Sequence, residues 1–552
     1  MSAGFPISAH HGGGVIALIV VGLMALLGVL FAWLGTRSLP DTDDLDGEAV
    51  DRPRSTRRIT RRQDDRRFRF IRFALLLGCW IILELIRWWL FTDGRAPSWW
   101  WERLLQNVSW AWCAAAPASI VGAVSLVLRK RTRPIDTGEW VDHLVCYRVV
   151  SRGLNQAALL DTVAAIRRAM TERPLFPYHI EVVVDHPVEL IPDTDLTVHV
   201  VPKDYVTPNR SKYKARALHY STEVSTMPPS AWVFHCDEES HVTVGLVGGI
   251  RDAVVEEEER AADGEIPRIG QGTILYTKSL KEHPVLTLAD SLRTGDDITR
   301  FAAQFRSGMM FCGMHGSFIL CRSDIETRVS FDVGPEGSIT EDAWWAYEQA
   351  AQGVGFRWVD GYLLEQSPEN WKDFAKQRRR WYSGLWKVAL YAPAATWARV
   401  ALMIFLSAWL VSAIGGVYTF VNLFTGLETP LAAQICGGLV FSWYVTTYLT
   451  GLWLALRSMP PEIRPSRFHC ALLYCAQVLM MPIFGSLEAA GVFMAIVSPE
   501  TGFHVIKKSG STGEGHADDG QNAPGGPDRI GSASASEEFL EESPGVLDGS
   551  PL

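Results

Sequence analysis

The chain has 552 residues, of which 48% are hydrophobic, and its formal net charge is −9. A negative net charge and the lack of a basic face exclude a nucleic-acid-binding protein, because such proteins neutralise phosphates with clustered lysine and arginine. The nine cysteines form no CxxC pair and no spacing typical of disulfides, so we interpret them as small buried hydrophobic residues.

Long apolar runs lie on both sides of a more polar middle region. They are found at 15–34, 73–91 and 108–128, and again at 400–424, 431–456 and 471–497. Each run is long enough to cross a hydrocarbon layer of about 30 Å as a helix. We therefore predict three transmembrane helices in an N-terminal membrane region at 1–135, and about three in a C-terminal membrane region at 391–500.

The arginine content of the loops predicts the orientation in the membrane. RSTRRITRRQDDRRFRF lies between the first two runs, and RKRTR follows the third. Because positively charged loops stay on the cytosolic side, we predict a multi-pass protein of the plasma membrane whose middle region is cytosolic. Pro482 could make the last run re-entrant, which leaves the side of the C-terminus open. The acidic tail at 501–552 is rich in Gly, Ser and Pro and is predicted to be disordered.

The middle region, at 136–390, alternates short apolar runs with helical patterns. LVCYRVV precedes QAALLDTVAAIRRAM, LTVHVV precedes KARALHYSTEV, and HIEVVVD and AWVFH are further apolar runs. This alternation predicts an α/β domain with helices on both faces of a sheet. Asp185 and Asp237 each follow an apolar run, and open α/β sheets bind ligands beyond the carboxyl ends of their strands. Both carboxylates are therefore expected at one edge of the sheet.

The stretch AWVFHCDEES ends in consecutive acids. Asp237 and Glu239 would suit Mg²⁺ or Mn²⁺ if the chain turns between them, because these hard cations bind one or two carboxylates together with substrate phosphates. A solvated helix start would explain the same acids, and this motif alone leaves both interpretations open. Three histidines, His219, His235 and His315, lack the spacing of zinc ligands and are interpreted as packing or hydrogen-bonding residues.

Two further stretches place charged residues at helix starts. KYKARAL brings Lys214 and Arg216 to the start of a helix, where they fit either an anion site or a solvated helix face. In GSITED, Thr340 is expected to cap a helix whose first turn contains Glu341 and Asp342. A carboxylate in a first helical turn is held ionised, as a general base must be, but capping chemistry alone would explain the same residues.

The stretch NWKDFAKQRRRWYSGLWKVALYAP lies just before the fourth apolar run. Its basic and aromatic residues are typical of an amphipathic helix at the membrane interface, in contact with membrane lipids. Such a helix would not require Gln377, Arg380 and Trp381 specifically.

Taken in order, the motifs HIEVVVD, KARAL, HCDEE, FCGMHGSF, TED and QRRRW resemble those of an inverting family 2 glycosyltransferase of the GT-A fold. VPKDY, TLADSLR and VSFD extend the resemblance to Egghead-type β-1,4-mannosyltransferases, between about residues 145 and 386. The resemblance implies a Rossmann-like α/β GT-A domain inserted between two groups of transmembrane helices. It also implies transfer of a sugar, mannose from GDP-mannose or a sugar from a UDP donor, to a lipid-linked or glycan acceptor, with inversion and a metal ion.

The resemblance implies a role for each matched position. Asp185 would contact the base or ribose of the donor, Asp237 and Glu239 would hold Mg²⁺ or Mn²⁺, and Asp342 would be the catalytic base. The remaining implied contacts are Lys214, Arg216, Gln377 and Arg380 with the donor phosphates, and Trp381 with the acceptor sugar. The metal motif is Asp-Glu-Glu where many relatives have DxD. The first strand ends VVSRGLN without the usual acid, which leaves the choice between GDP and UDP open.

Two other functions fit the sequence. A processive polysaccharide synthase of the hyaluronan or cellulose synthase type would pass its product through the membrane helices, and Glu84 and Arg87 in the second run could line such a channel. An internally satisfied i,i+3 pair of these two residues, facing other helices, is favoured over a channel lining. A nucleotide-binding transporter or scaffold would need no catalytic base, whereas Asp342 is present.

Overall fold

The computed structural model describes residues 73–85 except 75 and 83, together with 94–128, 139–278, 280–459 and 464–500. Four predicted features lie outside the described residues: the first transmembrane run at 15–34, the arginine-rich loop that follows it, the RKRTR stretch at 129–133, and the disordered tail at 501–552.

A mixed sheet forms the centre of the middle region. Its strands are Val145–Ser151 (β1), Tyr178–Val184 (β2), Leu196–Val200 (β3), Trp232–Asp237 (β4), His241–Val242 (β5), Ile269–Leu275 (β6), Ile319–Arg322 (β7) and Phe356–Leu364 (β8), in the order β3-β2-β1-β4-β7-β6-β8-β5. The apolar runs recognised in the sequence form β1 to β4, which are parallel. β7 is antiparallel to β4 and β6, and β6 is parallel to β8. The strands β1 to β4, β6 and β8 therefore end at the same edge.

Helices connect these strands and continue into the C-terminal region. They are Trp100–Val108 (α1), Ala111–Leu128 (α2), Gln156–Glu172 (α3), Tyr213–Val224 (α4), Val244–Ala262 (α5), Pro284–Asp296 (α6), Ala302–Ser307 (α7), Ser323–Glu326 (α8), Gly334–Gly337 (α9), Glu341–Ala351 (α10), Trp371–Tyr391 (α11), Thr396–Thr425 (α12), Leu431–Ser458 (α13) and Arg467–Val497 (α14). A π-helical segment, Asp297–Phe301, joins α6 to α7.

Helices cover both faces of the sheet, as the sequence predicts. Val149 and Val150 are neighbours in β1 but belong to different groups of buried side chains, because successive strand residues point to opposite faces. Val149 packs with residues of α3 and α5, and Val150 packs with residues of α4 and α10. β1 is buried along its whole length, which is typical of a parallel strand covered on both sides.

Long apolar helices account for four of the predicted membrane runs. Trp100–Ser125, Thr396–Asn422, Leu431–Ser458 and Arg467–Val497 are long and apolar enough to cross a membrane. In the second predicted run, the described residues within 73–85 are helical. The carboxylate of Glu84 lies against Gly438 of α13, whereas Arg87 lies outside the described residues.

Helix α6 of the middle region packs directly against the apolar helix α13. A β-carbon at Gly451 would overlap the carbonyl oxygen of Ser291, and one at Gly295 would overlap that of Thr447. Backbones approach this closely only where a residue has no side chain. Because most of α13 is buried, this contact fixes α6 to the centre of the helix bundle.

At the other end of the bundle, two connections lie side by side. The backbone of Arg95 pairs with that of Leu427, and the Gln106 side chain donates a hydrogen bond of 2.7 Å to the Glu428 carbonyl. The segment with Trp99 to Trp101 therefore lies beside the connection from α12 to α13. The predicted topology requires this arrangement, because it puts both connections on the outer side of the membrane.

Candidate active site

The candidate site lies at the edge of the sheet where the parallel strands end. Asp185 follows β2, and Asp237 is the last residue of β4. Each carboxylate has a basic partner from the start of α4: Arg216 Nη2 lies 2.5 Å from Asp185 Oδ1, and Lys214 Nζ pairs with Asp237. The structure thus brings together four of the residues that the resemblance assigned to the donor and the metal.

The chain turns immediately after Asp237, as a shared metal site for Asp237 and Glu239 requires. The Ser240 N–H donates to the Asp237 carbonyl at 3.1 Å, and the Asp237 N–H donates to Ser240 Oγ at 3.0 Å. The middle acid, Glu238, points elsewhere, because its carboxylate accepts a hydrogen bond of 2.5 Å from Ser151 at the end of β1.

Helix α10 delivers Glu341 and Asp342 to the same edge. Thr340 holds the N-cap position, but its hydroxyl makes no capping hydrogen bond to α10, contrary to the expected cap. A reason is visible in the packing: Thr340 is pressed against Gly384 of α11, where even a β-carbon would overlap it. The Ala343 N–H donates to Asp342 Oδ1 at 2.7 Å.

Three of these side chains meet at Gly316, in the FCGMHGSF loop. Lys214 Nζ donates a hydrogen bond of 2.8 Å to the Gly316 carbonyl. A β-carbon at Gly316 would lie 3.0 Å from Lys214 Nζ, 3.1 Å from Asp342 Oδ2 and 3.6 Å from Glu341 Oε1. The loop backbone therefore approaches the carboxylates as closely as a glycine allows. Phe318, just after it, has a φ of 57°, a backbone strain that often marks functional sites.

The same loop is held from behind by buried polar groups. The Gln271 amide donates to the His315 carbonyl at 3.1 Å, and His315 Nε2 lies 2.6 Å from Asp297 Oδ1 in the π-helical segment. The Gln304 side chain accepts a hydrogen bond of 2.7 Å from the Phe311 N–H. His315 is thus a hydrogen-bonding residue, as interpreted from the sequence, and it lies close enough to act electrostatically on Asp342.

Burial and charge tune the site in opposite directions. Burial raises the pKa of Asp342, although the charges of Lys214 and Arg380 oppose this rise. Burial and then the charge of Asp342 raise the pKa of Glu341 to about 7. Burial lowers the pKa of Lys214, but the charges of Asp237 and Glu341 outweigh burial and leave that pKa above its ordinary value. At neutral pH the site therefore holds a cationic lysine beside two carboxyl groups whose pKa values are both raised.

The QRRRW stretch is part of α11, and two of its arginines have different surroundings. Burial lowers the pKa of Arg380, while the charges of Glu341 and Asp342 act to raise it. Arg378 is fully buried and pairs with Asp290 of α6 at 2.7 Å and with Glu488 of the apolar helix α14 at 2.8 Å.

The other two predicted residues of QRRRW lie beside Arg378. Gln377 accepts a hydrogen bond of 2.6 Å from Arg378 Nη1. The ring of Trp381 lies 4.8 Å from the Arg378 guanidinium carbon and 4.3 Å from that of Arg293. The assigned roles of Gln377 at the diphosphate and of Trp381 at the acceptor stay predictions.

Three residues at the site were missed by the sequence reasoning. Glu365 follows β8 and accepts a hydrogen bond of 3.2 Å from Ser240, and burial and then the charge of Asp237 raise its pKa. The sequence could have predicted the position of Glu365, because FRWVDGYLLE is a largely apolar run that ends in an acid. Arg293 belongs to TLADSLR, a motif that received no role. Arg378 is the second residue of QRRRW, and nothing in the motif separates its function from that of Arg380.

The residues present fit a divalent cation that binds together with a donor. Within the described ranges, no group of three or more His, Cys, Asp and Glu side chains is placed to hold a metal alone. Mg²⁺ and Mn²⁺ need only one or two carboxylates when phosphate oxygens complete the shell. The Asp237 side chain is 34% exposed at the sheet edge and supplies the hard oxygen ligands that such ions prefer.

Comparison with known proteins finds similarity to glycosyltransferases. Residues 232–481 match the family model described as glycosyl transferase family group 2. The chain is 27% identical over 367 residues to the β-1,4-mannosyltransferase bre-3 of Caenorhabditis elegans, an alignment that covers 66% of this chain and 78% of the relative. It is 34% identical over 244 residues to the β-1,4-mannosyltransferase egh of Drosophila melanogaster, covering 44% of this chain and 52% of the relative.

Among solved structures, the chain is similar to the mannosyltransferase PcManGT from Pyrobaculum calidifontis, described in complex with GDP-Man and Mn²⁺. The identity is 13% and the TM-score 0.39, with 72% of this chain and 98% of the other covered. The mixed sheet with helices on both faces fits the GT-A fold expected from the motifs.

Proposed function

We propose that this chain, of which residues 232–481 match the model of glycosyl transferase family group 2, is a membrane-bound inverting mannosyltransferase that uses a lipid-linked or glycan acceptor. The donor in this proposal is GDP-mannose, with a UDP-sugar as the alternative. Support for mannose comes from the two relatives, which are named β-1,4-mannosyltransferases, and from the motif resemblance that extends over the whole middle region.

One observation carries the proposed chemistry: Asp342 and Lys214 both lie against Gly316, and Lys214 also pairs with Asp237. A candidate base, a cation and a hard-oxygen ligand therefore lie close together at the sheet edge. Inverting transfer needs a base for the acceptor hydroxyl and positive charge for the leaving diphosphate. We place the acceptor sugar beside Gly316, where Asp342 Oδ2 can reach its hydroxyl group.

In the proposed reaction, Asp342 removes the proton of the acceptor hydroxyl as its oxygen attacks the anomeric carbon of the donor. The bond between that carbon and the diphosphate oxygen breaks on the opposite face, so one displacement turns an α-linked donor into a β-linked product. Lys214 and Arg380 stabilise the negative charge that develops on the diphosphate. Mg²⁺ or Mn²⁺, held by Asp237 and Glu239, would supply further positive charge there when bound.

The remaining predicted residues position the donor and the acceptor. Asp185, oriented by Arg216, would accept hydrogen bonds from the base or ribose. Gln377 would contact the diphosphate, and Trp381 would lie near the acceptor sugar. We place the middle region in the cytosol, in contact with the inner leaflet of the plasma membrane through α11, where a lipid-linked acceptor can reach the site.

The test is transfer by the purified full-length protein from a panel of GDP- and UDP-sugars to a membrane lipid extract. We expect GDP-mannose to give a β-linked product of one added sugar. Asp342→Asn keeps the shape of the side chain and removes the base, so transfer should fall by roughly 10² to 10⁴ fold while donor binding is retained. A ladder of product lengths would instead identify a processive synthase. Near-normal turnover of Asp342→Asn would place the base elsewhere, with Glu341 the next to test.

A further inference from the structure

Arg293 lies in the last turn of α6, with its guanidinium between two aromatic rings. The guanidinium carbon is 4.2 Å from the ring centre of Tyr276 and 4.3 Å from that of Trp381. Tyr276 directly follows β6, and Trp381 belongs to QRRRW in α11. Because β6 ends at the same edge as β4, this stacked arginine lies on the edge of the sheet that carries Asp237.

The stacked guanidinium keeps its hydrogen-bonding edge for a ligand. Among the described residues, Arg293 makes no ion pair and no side-chain hydrogen bond, and it is only half-buried. An arginine has five N–H donors, and stacking uses the faces of the group while leaving the donors in its plane. A guanidinium held rigidly by two rings therefore presents a preformed fork to an anion.

The charges around Arg293 indicate what kind of anion fits. Burial and the positive charge of Arg293 both lower the pKa of Arg380. The charge of Arg293 also acts on the buried carboxyl group of Glu365. Two guanidinium groups in one partly buried place repel each other. The carboxyl groups of Glu341, Asp342 and Glu365 offset part of this repulsion, and a ligand with more than one negative charge would offset it further. A nucleoside diphosphate carries such charge, whereas a neutral acceptor sugar does not.

We infer that Arg293 is a further leaving-group-binding residue, whose guanidinium binds the terminal phosphate of the nucleoside diphosphate next to Arg380. Tyr276 and Trp381 hold the guanidinium in place, which gives the Trp381 ring a function on the donor side as well. The inference rests on the proposed glycosyl transfer, in which this diphosphate is the leaving group.

The experiment compares nucleoside diphosphates with monophosphates, since only the former carry the phosphate in question. Binding of GDP, GMP, UDP and UMP is measured by calorimetry on the purified full-length protein with Mn²⁺. Arg293→Ala should weaken binding of the preferred diphosphate by about 10- to 100-fold, the range for hydrogen bonds to charged groups, and leave monophosphate binding unchanged. Arg293→Lys should restore only part of the loss, because an ammonium group lacks the planar fork.

The matched control is Arg306→Ala. The Arg306 guanidinium also lies over a ring, that of Trp358 at 5.5 Å, but Trp358 is near the start of β8, at the opposite edge of the sheet from Glu365. This variant should keep the preference for diphosphate. Thermal unfolding of each variant separates a loss of binding from a loss of folding, and Arg293→Gln serves if the alanine variant is unstable.

The outcomes distinguish this inference from the proposed function. If the parent protein prefers the diphosphate and Arg293→Ala and Arg293→Gln keep that preference, Arg293 does not bind the leaving group, while the proposed function stands. An equal loss of monophosphate and diphosphate binding would show a structural role only and overturn the inference. If the parent protein has no preference for either diphosphate, both the inference and the proposed function are wrong.

Discussion

The neighbouring carboxyl groups of Glu341 and Asp342 give the site a dependence on pH that can identify the base. Burial and then the charge of Asp342 raise the pKa of Glu341 to about 7, and burial also raises the pKa of Asp342. As the pH falls through about 7, Glu341 therefore takes up a proton. If Asp342 is the base, this protonation of Glu341 should not by itself stop transfer.

The measurement is the pH profile of the transfer rate between about pH 5 and 8, for the parent protein and Glu341→Gln. The variant should keep the acid limb where the parent has it, because Asp342 alone sets that limb. An acid limb near pH 7 that is lost in Glu341→Gln would make Glu341 the base instead.

Asp237 is expected to make the activity depend on a metal ion. Its carboxylate lies at the turn that also carries Glu239, and one or two carboxylates with donor phosphates suffice for Mn²⁺. Chelator should abolish transfer, and Asp237→Ala should lose the binding of Mn²⁺ in the presence of GDP, measured by electron paramagnetic resonance. Asp263→Ala, at an exposed acid after α5, is the control. Full activity in chelator would rule out the metal site.

At the residue scale, the sequence predicted the acids better than the arginines. Asp185 and Asp237 could be placed because an acid after an apolar strand has one position in an α/β sheet. Arg378 and Arg380 are alike in sequence, yet Arg378 pairs with residues of α6 and α14, whereas the charges of the site carboxyl groups act on Arg380. That difference depends on Asp290 and Glu488, which are far away along the chain and carry no local signal.

Among the helices, the contact between α6 and α13 determines how the middle region is fixed to the helix bundle. Gly451 meets the backbone of Ser291 with no room for a side chain, whereas a β-carbon at Gly485 of α14 would meet nothing within 4 Å. Gly451→Ala should therefore cost about 1 to 3 kcal/mol, the usual range for overpacking, and lower the unfolding temperature in detergent. It should also reduce transfer, because α6 carries Arg293.

The matched variant Gly485→Ala tests whether this effect comes from the contact. It changes the same residue type in an apolar helix where the methyl group has space, so its unfolding temperature should equal or exceed that of the parent protein. Equal unfolding temperatures for both variants would show that α6 and α13 are not packed as closely as described.

At the scale of elements, the strands β1 to β4 and the helices α3 and α4 were predictable because their apolar periodicity is local. The antiparallel β7 was not, since its apolar run does not reveal the direction in which a strand crosses the sheet. The packing of α6 was also missed. PVLTLADSLRTGD reads as an ordinary amphipathic helix, and only the pair of glycines in α6 and α13 shows where it lies.

For the whole molecule, the orientation in the membrane is the prediction with the widest consequences. The arginine-rich loops predict that the middle region lies in the cytosol. A membrane-impermeant maleimide added to intact cells should label Arg103→Cys, which is exposed in α1, and should miss Asp263→Cys until the cells are opened. Both signals are compared with the parent protein, because it has native cysteines. The reverse labelling pattern would show that the middle region lies outside the cell.

The length and composition of the apolar runs were enough to predict the helices that match four of the six runs. The sequence did not predict that α13 would be buried by its neighbours. An apolar run looks the same whether lipid or protein surrounds it, so its partners follow only from the assembled bundle.

The ion pairs of Arg378 have a consequence for the biosynthesis of the protein. Its partner Glu488 lies 110 residues later in the chain. The ribosome therefore completes the whole middle region before α14 supplies this carboxylate. Until then, Arg378 has only Asp290 to balance a charge that will be buried. We expect the QRRRW helix to reach its final position only when α14 has entered the membrane. A nascent or truncated chain would then be unable to consume sugar nucleotide before its insertion is complete.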